Sequence, residues 1–286
     1  MRMKRFLIIA IAAFMLISFV AMNAGAEKVL KVGLMGPFTG PAAQSGASIK
    51  NSLLMKLEEA GNKVIKCNLG EPDIPLPVHI RDEVKRQLDL DNVHYTNPQG
   101  VPSLRKAVAK YIGANRGLEY SPEQVVVFPG GKPPIGLCQQ TYTNPGDEII
   151  YPSPGFPIYE SFIRYVGAVP VPLHLREEIG FSFTGADLEK LITPKTKLIY
   201  MNFPSNPTGG VATAEQLTEI GEVIRARAHP DVRIYSDEAY EAIVFDGERH
   251  VSIASLPGME KLTIIATGAS AKYLGLPSEQ RLRGGG

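Results

Sequence analysis

The chain has 286 residues, 44% of them hydrophobic, enough to bury one large core or two modest ones, which excludes a disordered chain. Lys and Arg number 30 against 29 Asp and Glu, and setting aside Arg2, Lys4 and Arg5 near the N-terminus leaves 27 against 29, with no basic footprint for nucleic acid. Cys67 and Cys138 form no CxxC, and the five His residues show no HExxH or paired-ligand spacing, so composition argues against a metal site.

In chain order, MRMKR is a charged start, Phe6 to Val20 is an uncharged apolar run, and Ala24-Gly25-Ala26 is a small-x-small cleavage site before Glu27. Residues 1–26 therefore read as an export signal peptide. A retained membrane anchor is the alternative, because residues 6–26 carry no charge and are just long enough to span a bilayer. Val32-Gly33-Leu34-Met35 then reads as a short buried strand and GPFTGPAAQSG as a Gly/Pro loop leading into a helix. Residues 31–51 resemble the opening of periplasmic binding proteins for branched-chain amino acids, in which strand, PxTG loop and helix begin the first lobe. An ordinary βα start fits the same residues, so residues 27–62 stand as a short segment of their own.

From about Val64 short apolar strands alternate with helical patterns: VIKCNL, a helix from Val78 to Leu88, another from Val101 to Ile112, then QVVVF, EIIY, VPVPL, KLIYM, VRIYSD and LTIIA. This alternation predicts an α/β fold, a mostly parallel sheet covered by helices on both faces. Thr213 with Gln216 three residues on forms a capping-box pattern before the amphipathic run Leu217–Ile224. There is no internal repeat, and the closing GGG reads as an unstructured end.

In open α/β sheets ligands bind at strand ends, beside the N-termini of the following helices. QVVVF runs into Pro129-Gly130-Gly131-Lys132 and a helix whose first turn tolerates Pro133 and Pro134. Glycines there let backbone N–H groups approach an anion, although a tight turn without ligand reads the same way. KLIYM runs into Asn202-Phe203-Pro204-Ser205-Asn206-Pro207-Thr208-Gly209, a rigid polar turn whose X-Pro bonds are candidates for the cis form. VRIYSD ends in Ser236-Asp237-Glu238-Ala239-Tyr240, which sets a carboxylate beside a phenol. LTIIA ends in a small-residue turn and Lys272, which taken alone is either a surface charge or an amine that holds a cofactor.

Seven motifs in order, NLGEPD, HYTNPQGVPSLR, FPGGK, PGDEIIYPSPGFPIY, NFPSNPTGG, YSDEAY and the lysine turn, resemble the large domain of the class I and II aminotransferases, fold-type I enzymes dependent on pyridoxal 5′-phosphate. The resemblance covers roughly Val64 to Lys272 and implies an α/β/α sandwich over residues 63–273. It implies that Asp237 pairs with the pyridine nitrogen, that Asn206 and Tyr240 hydrogen-bond the cofactor's phenolic oxygen, and that Phe156 stacks on the ring, where plain core packing is the alternative. Gly130, Gly131 and Lys132 would hold the phosphate, helped by Ser270 or Thr267. Tyr95 would reach the phosphate of a neighbouring subunit, implying a homodimer. Gly70 would lie against the substrate, and Lys272 would bind the cofactor covalently and then carry a proton. The implied reaction moves an amino group between an amino acid and a 2-oxo acid, in the cytoplasm for typical relatives and outside it if the leader is used. An exported amino-acid-binding module, or another fold-type I enzyme such as a C–S lyase, is the alternative.

The chain departs from the family pattern near its end. The family turn reads Ser-Gly-Phe/Leu-Ser-Lys with an arginine eight residues after the lysine. Here Thr267-Gly268-Ala269-Ser270-Ala271-Lys272 is one residue longer, and the eighth residue on is Gln280, with Arg281 following. Residues 274–286 read as a divergent tail in which LPSEQRLRGGG, residues 276–286, matches nothing in the family, and the motifs stop before the small domain that carries the arginine for the substrate's α-carboxylate. A frame change in the coding DNA or a joined gene is the expectation, and with it a large domain that folds but transaminates poorly.

Overall fold

The computed structural model describes residues 55–61, 75–92 and 94–268 of the chain. The chain divides into two units, Met1–Lys66 and Cys67–Gly286; in the first, residues 55–59 are helical. The leader, the binding-protein-like segment up to residue 54, the expected strand VIKCNL, Gly70, Ser270 and Lys272 all lie outside the described residues.

The second unit opens with helices α1 (Val78–Asp89) and α2 (Pro102–Arg116). The first ends one residue from its expected boundary. The second starts at Pro102, whose missing N–H costs nothing at the first helical position, and runs four residues past the expected Ile112. It stops where Gly117 takes a left-handed φ of 64° and returns its N–H to the Gly113 carbonyl.

Among the described residues a five-stranded sheet follows, built from β1 (Glu148–Ser153), β2 (Val169–His174), β3 (Thr196–Asn202), β4 (Arg233–Asp237) and β5 (Thr263–Ala266). Its order is β2-β1-β3-β4-β5 and every pairing is parallel. The edge strand β2 is where Pro170 and Pro172 sit, positions that an interior strand could not spare from its hydrogen-bond ladder. Helices α3 (Lys132–Tyr142), α4 (Ile158–Tyr165), α5 (Gly185–Glu189) and α6 (Ala214–Arg227) connect and cover the strands.

Alternation along the strands builds two cores. Ile149, Leu198, Tyr200 and Tyr235 face the layer holding Ile135 and Cys138 of α3 and Tyr159 and Ile163 of α4. Their neighbours Ile150, Ile199, Met201 and Ile234 face Leu188 of α5 and Leu217, Ile220 and Ile224 of α6. Both faces of the central strands are dry, which is why these runs are continuously apolar. The α/β/α sandwich expected from the sequence is therefore the observed one. Helix α6 begins as its sequence predicts: the Thr213 hydroxyl accepts the Gln216 N–H at 3.2 Å, and the Gln216 side chain accepts the Thr213 N–H at 3.0 Å.

Among the described residues one expected strand is absent. Gln124 closes a short 3₁₀ turn, Pro122–Gln124, and residues 125–128 are not a strand. Val125 is extended at φ −108° and ψ 128°, and Val127 donates to the Gln99 carbonyl at 3.0 Å, but no ladder forms along the run. Apolar β-branched residues make an extended backbone favourable; a strand also needs a partner beside it.

Candidate active site

The C-terminal ends of β3, β4 and β5 lie side by side. Asn202 is in register with Asp237, and Asp237 with Ala266. This is the edge of a parallel sheet at which ligands are received, and three groups of the expected site residues gather around it or begin there.

Asp237 is the last residue of β4. Its carboxylate accepts a 2.7 Å hydrogen bond from the Tyr159 hydroxyl and a 3.3 Å one from the Ala239 N–H. Among the described residues no cation pairs with it. Burial pushes the Asp237 carboxyl above the ordinary carboxylate range, the Tyr159 and Ala239 donors pull it back in part, and Glu238 adds a further upward push. Tyr159 is itself fully buried. Its ring lies 4.7 Å from Tyr200, stacked at 29°, and Tyr200 lies 4.8 Å from Tyr235. Phe156 meets Tyr159 edge-on at 5.8 Å and is only partly buried. One side chain thus touches both the expected ring-stacking residue and the expected carboxylate.

Asn206 and Tyr240 come together at this edge. Asn206 Nδ2 stands 3.5 Å from the Tyr240 hydroxyl, at the far edge of hydrogen-bonding distance. The loop carrying Asn206 is tied down by Asn202, whose side-chain oxygen accepts the Asn206 N–H at 2.8 Å and whose amide donates to the Asp237 carbonyl at 3.1 Å. The Phe203-Pro204 and Asn206-Pro207 bonds are cis, as is Ser153-Pro154. Beside Asn206 and Tyr240 a cavity of about 520 Å³ opens toward Ile243, Val244 and Phe245. A second cavity, of about 360 Å³, is lined by Arg233 and Thr263, which begin β4 and β5, and so lies at the opposite edge of the sheet.

Gly130, Gly131 and Lys132 form the N-terminal entry to α3 and are exposed. Gly130 has φ +96°, a conformation that calls for glycine. Gly131 does not: its φ of −82° and ψ of −13° suit any residue, and a Cβ built there would meet nothing within 4 Å. Neither the turn nor internal packing requires a bare backbone at residue 131.

Thr267, just past β5, is exposed, and Tyr95 is wholly exposed. Sequence reasoning did not single out Tyr159, Asn202 or the buried Arg116 that reaches Glu238. The first had a usable signal, a phenol three residues after Phe156 at the start of a helix.

The sequence model of "Aminotransferase class I and II" matches residues 62–280. An aspartate aminotransferase of Geobacillus stearothermophilus is 37% identical over 219 residues, covering 76% of this chain and 55% of that protein. An aromatic-amino-acid aminotransferase of Thermococcus litoralis is 36% identical over 221 residues, covering 77% and 56%. Among solved structures, an aspartate aminotransferase mutant of Thermus thermophilus superposes with a TM-score of 0.73 at 30% identity, over 85% of this chain and 62% of that one. The aromatic aminotransferase of Pyrococcus horikoshii gives 0.69 at 34%, over 76% and 57%. The chain spans about half the length of the curated relatives it matches. Sequence and fold agree over the same stretch that carries the sheet-edge site, and the chain belongs to the class I and II aminotransferases.

Proposed function

We propose that the chain is the cofactor-holding part of a pyridoxal phosphate-dependent aminotransferase that moves an amino group between an amino acid and a 2-oxo acid. The observation that carries this reading is Asp237: a carboxylate at the end of a central strand, disfavoured as an anion by burial and without a cation partner among the described residues. A protonated pyridine nitrogen would supply the missing cation. The residues present fit the rest of the cofactor as well. The bare N–H of Gly131 at the head of α3, where neither conformation nor packing explains the glycine, suits a phosphate.

In this reading Asp237 holds a proton on the pyridine nitrogen, and Tyr159 holds Asp237. Asn206 and Tyr240 hydrogen-bond the phenolic oxygen, and Phe156 covers a ring face. Gly130, Gly131 and Lys132 bind the phosphate with Ser270 or Thr267. Lys272 anchors the cofactor through its amine and then moves a proton at the substrate Cα. Gly70 lies against the substrate. When bound, the cofactor supplies an electron sink for the bond broken at Cα. A second copy of the chain is proposed to receive Tyr95; its support is α1, which has no buried residue and exposes Val78, Val84 and Leu88. No helix among the described residues is long and apolar enough to cross a membrane; export through the residue 1–26 leader is part of the proposal. The family match favours the transferase over an exported binding module.

Two measurements test the reading. Added pyridoxal phosphate should give a visible absorbance band that borohydride removes, and tryptic mapping should then place the pyridoxyl group on Lys272. Labelling of Lys132 or Lys261 instead would remove Lys272 from its role. Gly131→Ala should leave the thermal midpoint unchanged or raise it slightly, since restricting the unfolded chain is worth about 0.4–1 kcal/mol where the conformation is compatible. The same change should weaken cofactor binding, because the new methyl occupies the space beside the N–H. Unaltered affinity in that variant would mean that no anion is held there.

A further inference from the structure

Glu238 follows Asp237 directly, and successive residues at a strand end point to opposite sides. Asp237 turns toward Tyr159. Glu238 turns into a buried polar cluster, its side chain 1% exposed. There its carboxylate binds the Arg116 guanidinium, the Ser236 hydroxyl at 2.8 Å, the Ser252 hydroxyl at 2.6 Å and His250 Nε2 at 3.0 Å. Arg116 also binds Glu241, which accepts a 3.3 Å hydrogen bond from Tyr111. One guanidinium from the last turn of α2 therefore grips two carboxylates three residues apart. Tyr240 lies between them.

The backbone of this turn is held as well. The Glu238 N–H bonds the Ala266 carbonyl at 2.8 Å, and the Glu241 N–H bonds the Glu238 carbonyl at 3.1 Å. Among the described residues the Tyr240 hydroxyl makes only its long approach to Asn206, so its position depends on what lies behind the turn. Glu238, Glu241 and His250 bring one ligand atom each within 4.8 Å of one another, an arrangement suited to a cation. Arg116 is the cation that stands against both carboxylates.

We propose that Glu238 is a positioning residue for the cofactor's aromatic ring: clamped by Arg116 and oriented by His250 and Ser252, it fixes the turn that presents Asp237 on one side and Tyr240 on the other. This rests on the cofactor reading given above. It assigns Glu238 no contact with the ring or the substrate. The anchor sits instead behind the two groups that make such contacts, while Gly130, Gly131 and Lys132, the share of the phosphate cradle at the head of α3, belong to a different part of the chain.

That separation supplies the test. Pyridoxamine 5′-phosphate, followed by its own fluorescence in a chain that has no Trp, reports the ring and phosphate together, and inorganic phosphate followed by ³¹P NMR reports the cradle alone. Glu238→Gln should weaken pyridoxamine phosphate binding by roughly 10- to 100-fold, the range seen when groups standing behind metal ligands are lost, with inorganic phosphate binding unchanged. His250→Ala should do the same more mildly, and His250→Gln, whose amide can donate where Nε2 does, should restore binding. If Glu238→Gln fails to fold, the His250 pair decides. Should the two probes move together in every variant, or neither move, Glu238 is a purely structural residue and the proposal is overturned. If the parent chain itself does not bind pyridoxamine phosphate, the cofactor reading fails and takes this inference with it.

Discussion

Asp237→Asn is expected to nearly abolish transamination while leaving the fold at least as stable as before. Asn is close to Asp in shape and can still accept from the Tyr159 hydroxyl at the end of β4, but it carries no charge with which to hold a proton on the pyridine nitrogen. Loss of one preorganised electrostatic partner of this kind costs on the order of 10²–10³ in rate, and the fall should appear in single-turnover absorbance changes of cofactor-loaded protein on addition of an amino acid. Stability should move the other way. The Asp237 carboxyl is held above its ordinary range, chiefly by burial, so folding favours its protonated form; the associated stability is present below the unfolded pKa and is lost as pH rises through the folded one. At neutral pH the ionised group is a burden that Asn relieves, and the cofactor-free variant should melt at the same temperature or higher. Parent-like turnover would take Asp237 out of the mechanism. A large drop in melting temperature would mean that the carboxylate is a structural anchor.

Much of the architecture was readable because it is local or periodic. Strands β1, β3 and β4 are short apolar runs closed on both faces, β5 is a half-buried one, and the capping signal at Thr213 acts within one helical turn. The failures are matters of partnership. QVVVF has the composition of a strand, but a ladder forms only with a neighbour, and among the described residues its backbone meets a single carbonyl across the chain at Val127, that of Gln99. The end of α2 was set too early because Ile112 closes the obvious apolar stripe, whereas Gly117 supplies the actual stop. For the proposed site, the motifs point to Asp237, Asn206, Tyr240 and the glycine turn but not to what holds them. Tyr159 meets Asp237 from 78 residues away, and Arg116 meets Glu238 from 122 residues away. Such pairings leave no trace in spacing: an arginine near the end of an amphipathic helix reads as an exposed charge beside the helix dipole. Burial, which the sequence does not display, is what turns it into an anchor.

Arg116→Leu should reveal that burial as the largest single loss of stability in the cluster. The parent guanidinium, 2% exposed, neutralises Glu238 and Glu241 together and also donates to the Ile112 carbonyl at 3.3 Å. Leucine fills part of the volume but leaves two carboxylates facing each other out of water, with Tyr111 for Glu241 and with Ser236, Ser252 and His250 for Glu238. Breaking a buried pair from one side costs about 3–5 kcal/mol, a large share of the roughly 5–15 kcal/mol that keeps a domain folded. The pH dependence identifies the cause. Burial alone would raise the Glu238 carboxyl, but His250, Arg116 and Ser252 outweigh it and hold it at about 2, below its ordinary value of 4.5. In the parent this stabilisation is therefore present above the unfolded pKa and is lost as pH falls from about 4.5 toward 2. Without Arg116 the strongest full positive charge is gone and burial gains weight, so the carboxyl rises and protonation relieves the variant earlier. Urea unfolding near neutral pH and again at about pH 4 should show a gap between parent and variant that narrows on acidification. A gap of less than about 1 kcal/mol near neutrality, the size of an ordinary exposed ion pair, or one that does not change with pH, would mean that the carboxylates are not held by Arg116 in the way the geometry implies.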